Sequence, residues 1–133
     1  MTEPSTRTER PLSPHLSVYR LTLTMAMSIA HRITGAALYF GTLILVWWLV
    51  AAATSPRNFD LINGVFGTWI GRLVLFGYTG ALFHHMLGGV RHLIWDTGRG
   101  LGAVERDRLA LATLIGSAAL TALVWVIGFV LRG

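Results

Sequence analysis

The sequence contains no cysteine and no lysine. Without cysteine, the chain can form no disulfide, no thiolate metal site and no cysteine nucleophile. Charge is scarce as well. Only 13% of the 133 residues are charged, about half the share usual in soluble domains, and apolar residues make up 53%. Long polar stretches are confined to the beginning. The first twenty residues, MTEPSTRTERPLSPHLSVYR, carry two glutamates and three prolines. They lack the basic start and apolar run of a secretory signal and the acid-poor composition of a mitochondrial presequence. This leader is expected to be a mature segment, residues 1–24, lying on one side of a membrane.

All of the positive charge is arginine, eleven residues against six acids. These arginines form no solvated face or tail of the kind that binds nucleic acid. They flank apolar runs, which points to membrane topology and excludes a nucleic-acid partner. A bilayer core requires about 20 apolar residues in helical form. Three stretches meet that requirement: ITGAALYFGTLILVWWLVAAATSP after Arg32, LVLFGYTGALFHHMLGGV after Arg72, and LALATLIGSAALTALVWVIGFVL from Leu109. The expectation is an all-α membrane protein with an anchor domain over residues 25–133. Its three transmembrane helices would lie at about 28–54, 62–92 and 107–131 within a hetero-oligomeric bundle. Trp47, Trp48, Trp69, Trp95 and Trp125 lie mostly toward the ends of these runs, where interfacial aromatics concentrate.

Orientation follows from the arginines. Arg7, Arg10, Arg20 and Arg32 precede or open the first span, and Arg91, Arg99, Arg106 and Arg108 occupy the second connection. The other side receives only Arg57, Arg72 and Arg132. The N-terminus and the second loop are therefore expected in the cytoplasm and the C-terminus outside. That topology brings the start of span one, SIAHR at residues 28–32, to the same depth and side as the end of span two.

The end of span two reads HHMLGGVRHLIWDTG from residue 84 to residue 98. His85 lies roughly 9 Å inside the Arg91 boundary on a helix, within the hydrocarbon, where an ionisable group points to function. A neutral imidazole persists there if its nitrogens are engaged, and a haem iron is one suitable partner. Gly77, Ala81, His85 and Gly89 form a stripe of small residues at intervals of four. Such a stripe admits either a neighbouring helix or a flat macrocycle. Gly80, His84 and Gly88 form a second stripe about 100° away, so spacing alone does not choose between His84 and His85. A hydrogen-bonded histidine in a helix interface explains the pattern equally well. At the cytoplasmic boundary, Arg91 would snorkel and Asp96 pair locally, or the cluster with His92 would meet a cofactor's carboxylates or a soluble subunit. Ser28 and Arg32, four apart on a helical face with His31 beside them, could grip a carbonyl oxygen of an apolar ligand. They are equally readable as a serine near a helix start and a positive-inside arginine.

Taken together, RPLSPHLSVY, MAMSIAHRITG and HMLGGVRHLIWDTGRGL resemble the large cytochrome b anchor subunit of succinate dehydrogenase, respiratory complex II. The matched segments cover residues 10–35 and 85–101 in the family's order. The resemblance implies a membrane anchor in the bacterial inner membrane, not a complete enzyme, helping to dock a flavoprotein subunit and an iron–sulfur subunit. Electrons from succinate would pass to ubiquinone. His85, which begins the H-x-x-x-G-x-R-H pattern, would be one axial ligand of a haem b shared with a smaller membrane-anchor subunit, the source of the second ligand. Ser28 and Arg32 match residues that line the ubiquinone pocket, and His31 and His92 match positions near the haem propionates. Relatives often carry an aromatic residue where this chain has His84, so His84 is expected to face another helix or the lipid boundary. Two other functions fit parts of the pattern: the anchor of a quinol:fumarate reductase, and a small transporter subunit relaying protons through its intramembrane histidines.

Overall fold

The computed structural model describes Val18 and residues 20–132. The leader motif RPLSPHLSVY and the arginines at 7 and 10 therefore lie almost wholly outside the described residues. Four helices follow in chain order: α1 (Leu23–Thr54), α2 (Pro56–Gly67), α3 (Trp69–Asp96) and α4 (Ala103–Arg132). Among the described residues there is no strand. At 1.5 Å per residue, the 32, 28 and 30 residues of α1, α3 and α4 each exceed the roughly 30 Å of a bilayer core. Among the described residues, these are the three helices long and apolar enough to cross a membrane. Their large apolar side chains are mostly exposed, among them Leu43, Leu73 and Ile115. That pattern suits lipid or partner helices and not water.

The second span differs from expectation. Residues 62–92 do not form one helix, because the chain breaks at Thr68. Thr68 is extended, with φ −67° and ψ 161°, and its Oγ1 accepts the amide of Gly71 at 3.1 Å. A hydroxyl residue in that conformation caps a new helix in place of continuing the old one. Ser55 performs the same double task one helix earlier. It ends α1 and begins α2, its Oγ accepts the amide of Asn58 at 3.3 Å, and Pro56 follows. Proline forces the preceding residue out of the helical region and suits the first helical position. The amphipathic α2 is thus a corner piece between α1 and α3. Trp48 of α1 donates its indole N–H to Asn63 Oδ1 across this corner at 3.2 Å. Phe59 packs on the same indole, with centroids 5.6 Å apart.

α3 packs against both α1 and α4. The α4 side of that contact is a row of small residues, Ala110, Thr113, Ser117 and Thr121, all buried. The three hydroxyls are satisfied within α4 itself: Thr113 donates to Leu109 O at 2.8 Å, Ser117 to Leu114 O at 2.9 Å and Thr121 to Ser117 O at 2.7 Å. They bring no unpaired polar atom into the contact and let the helices close up, as small residues do in membrane bundles. Gly80 of α3 faces Thr121. The turn into α4 needs glycine twice, at Gly98 (φ 75°) and Gly100 (φ 72°), both in the left-handed region. It is tied back by Trp95, whose indole donates to Gly100 O at 3.0 Å.

Candidate functional site

The arginine-rich end of the bundle brings the start of α1 to the end of α3, as the arginine distribution anticipated. His31 of α1 and His85 of α3 stack face to face, with ring centroids 4.0 Å apart and planes within 4°. His92 lies 5.4 Å from His31 and stands edge-on to Trp95 at 5.1 Å. His31 thus lies against two of the three α3 histidines that the sequence singled out, His85 and His92. Ser28 and Arg32 are exposed on the same turns of α1.

The two adjacent histidines of α3 occupy different environments. His85 is half-buried, and its Nδ1 lies 3.1 Å from the main-chain oxygen of His31. Since a carbonyl oxygen only accepts, Nδ1 is the donor in this contact; in the neutral ring Nε2 then holds the lone pair, and it has no protein partner among the described residues. This is the arrangement usual in metal-bound histidines, where the second nitrogen donates to a carbonyl that fixes tautomer and ring orientation. His84 is 8% exposed, and its Nε2 is buried without a hydrogen-bond partner among the described residues. It is enclosed within the bundle, not set at a lipid boundary.

The stripe of small residues around His85 also sorts itself. Side chains added at Gly77 and Gly89 would meet nothing within 4 Å. Gly80 and Gly88, in the other stripe, face Thr121 and His31 inside this chain. Gly77 and Gly89 of the His85 stripe are therefore uncovered within this chain while His85 itself packs on α1, and Gly80 and Gly88 of the His84 stripe are taken up by helix packing. An imidazole with a free Nε2, flanked along its helix by bare glycines, fits a flat haem macrocycle. Among the described residues, no three histidine or acidic side chains converge to hold a metal ion unaided. A single-ligand role suits His85.

Arg91 departs from expectation. It does not snorkel: it is 4% exposed, and Nε and Nη1 are buried without partners among the described residues. Its guanidinium carbon lies 5.2 Å from the Trp95 ring centre, in cation–π range. It also borders a small cavity with Leu87, Leu109 and Thr113. Trp95 is more than an interfacial aromatic. It ties together Arg91, His92 and the Gly100 turn; its spacings of four from Arg91 and three from His92 could have suggested the first two contacts.

Residues 6–125 match the model of the succinate dehydrogenase/fumarate reductase transmembrane subunit family. The chain belongs to that family. It is similar to the succinate dehydrogenase cytochrome b556 subunit of Paracoccus denitrificans, with 45% identity over 124 residues, covering 93% of this chain and 95% of the relative. The b556 subunit of Rickettsia felis is 36% identical over 118 residues, 89% of this chain and 92% of that one. The mitochondrial cytochrome b560 subunit of Sus scrofa is 39% identical over 111 residues, 80% of this chain and 64% of the relative. Family membership agrees with three membrane-crossing helices and makes the chain a multi-pass membrane protein.

Proposed function

We propose that this chain is the larger, haem-bearing membrane anchor of a succinate:ubiquinone oxidoreductase in the bacterial inner membrane, with residues 1–24 cytoplasmic and 25–133 forming the anchor. The observation that carries this reading is the state of His85: Nδ1 engaged by the His31 carbonyl, Nε2 free, and open glycines along its stripe. His85 would be the residue of this chain that holds haem b, and a histidine of a smaller anchor subunit would supply the second protein ligand. When bound, the haem supplies a one-electron carrier within the membrane. His31 and His92, within 5.4 Å of one another, are the groups available to its propionates. Ser28 and Arg32 are exposed and free to face a partner. They hold a ubiquinone carbonyl where the iron–sulfur subunit docks, and the guanidinium and hydroxyl stabilise negative charge as it develops on that oxygen. The flavoprotein subunit completes the assembly, and the redox chemistry belongs to the cofactors.

Relatives named as succinate dehydrogenase subunits favour succinate oxidation over quinol:fumarate reduction. A proton-relaying transporter leaves the family match unexplained.

The test is mild-detergent purification through a tag on this chain, with subunit identification and a reduced-minus-oxidised spectrum. A coloured complex with three co-purifying subunits, whose b-type band disappears in His85→Ala, is the expected result. A colourless chain purified alone would overturn the proposal.

A further inference from the structure

The approach of α1 to α3 at the histidine cluster is built crosswise from two glycines and two imidazoles. A Cβ placed on Gly35 of α1 would lie 2.8 Å from Cε1 and 3.3 Å from Nδ1 of His85. A Cβ placed on Gly88 of α3 would collide with the ring of His31. Each imidazole occupies the volume that a side chain on the facing helix would fill, and the two rings stack between the glycines.

Gly35 has a second consequence. In an α-helix the carbonyl of His31 already accepts from the amide four residues on, which is that of Gly35. A minimal side chain at that fourth residue lets a neighbouring helix come close enough to reach its other lone pair. The missing Cβ opens the carbonyl to His85 Nδ1 at 3.1 Å. The Thr34 hydroxyl also lies near this oxygen, at 3.1 Å, but stands closer to Ala30 O at 2.8 Å. Its single proton has a better acceptor there.

We propose that Gly35, Gly88 and the main-chain carbonyl of His31 form a positioning cradle, contained in this one chain, that fixes the ring plane and tautomer of His85. The cradle rests on the reading of His85 as haem ligand and adds what sets its orientation before any partner histidine arrives. The His31 side chain then has a packing role against Gly88, separable from the role of its carbonyl.

The experiment uses the assembled complex in native membranes and three readouts: haem-to-flavin ratio, the position of the oxidised low-spin haem signal in electron paramagnetic resonance, and the haem midpoint potential. Gly35→Ala displaces His85 directly, so haem affinity should fall by about 10- to 100-fold, the usual loss when such a supporting contact is removed, and the haem-to-flavin ratio should drop with it. Any haem that remains should show a shifted resonance. Gly88→Ala pushes the His31 ring and should shift the resonance and potential without abolishing the haem. In a His31→Ala background the ring is gone but the carbonyl remains, so adding Gly88→Ala should change nothing further.

Gly35→Ala with unaltered haem content, resonance and potential would overturn the cradle. So would a Gly88→Ala effect that persists at full size in the His31→Ala background. If Gly35→Ala does not assemble, the Gly88 and His31 variants decide the matter on the same readouts. Retention of the haem in His85→Ala would instead overturn the haem assignment itself, which separates the two failures.

Discussion

The ring of Tyr78 fills the space that a side chain at Gly41 would occupy, locking α3 onto α1 midway along the pair. Gly41 is buried, and a Cβ there would overlap the phenol ring itself, not the end of a flexible chain. Gly41→Ala should therefore overpack the contact and cost about 1–3 kcal/mol. The expected outcome is a lower thermal midpoint for the detergent-solubilised complex, partly restored when Tyr78→Ala is added. A midpoint unchanged by Gly41→Ala would show that the helices can part at no cost.

Thr68 ends α2 and starts α3, and its hydroxyl serves both helices. It accepts the Gly71 amide at 3.1 Å and donates to Val65 O at 2.7 Å. Thr68→Ala removes the N-cap at a cost of about 1 kcal/mol. Thr68→Ser keeps the oxygen and should behave like the parent. Hydrogen exchange of the first α3 amides is the direct measurement, with faster exchange expected in the alanine variant only.

How far the fold was legible follows from these same residues. Three membrane-crossing helices, and the convergence of residues 28–32 with 84–98, could be read from apolar run length and arginine placement, because bilayer thickness and loop charge act on the sequence directly. The break at Thr68 could not. Residues 62–67, with Ile62, Val65 and Phe66, are apolar enough to look continuous with the span, and one hydroxyl in an extended conformation overrides that impression. The burial of Arg91 was hidden for a related reason: an arginine at a span end normally reaches for water, and only the position of α4 decides that this one does not. The different surroundings of His84 and His85 also needed the structure. Two stripes of small residues with the same spacing are equivalent until a neighbouring helix covers one of them.

Arg32 is exposed on α1, four residues from the exposed Ser28. If they hold the quinone carbonyl, Arg32→Ala loses a charge-assisted hydrogen bond of about 1.5–3 kcal/mol, roughly a ten- to hundred-fold fall in ubiquinone reduction. Succinate oxidation by an artificial acceptor that takes electrons from the soluble subunits should be unchanged. Arg32→Lys keeps the charge but not the planar fork of donors and should recover only part of the rate. Equal loss of both activities would count against placing the quinone at Ser28 and Arg32.

His84 and His85 give the sharpest comparison, since they are adjacent in sequence and their environments differ. His84 is enclosed, with Nε2 buried and unpartnered among the described residues. Leaving a buried polar atom unsatisfied costs about 1–3 kcal/mol, and an apolar replacement of similar shape removes that cost. His84→Leu should therefore preserve the b-type band and leave the thermal midpoint of the complex unchanged or raised. His85→Leu removes the imidazole held by the His31 carbonyl, so it should abolish the band while the subunits still assemble on their helix contacts. The paired measurement is one reduced-minus-oxidised spectrum and one melting curve for each variant. If the band survives in His85→Leu and vanishes in His84→Leu, the buried histidine is the ligand. The open stripe of Gly77 and Gly89 must then be covered by a partner helix in place of a macrocycle.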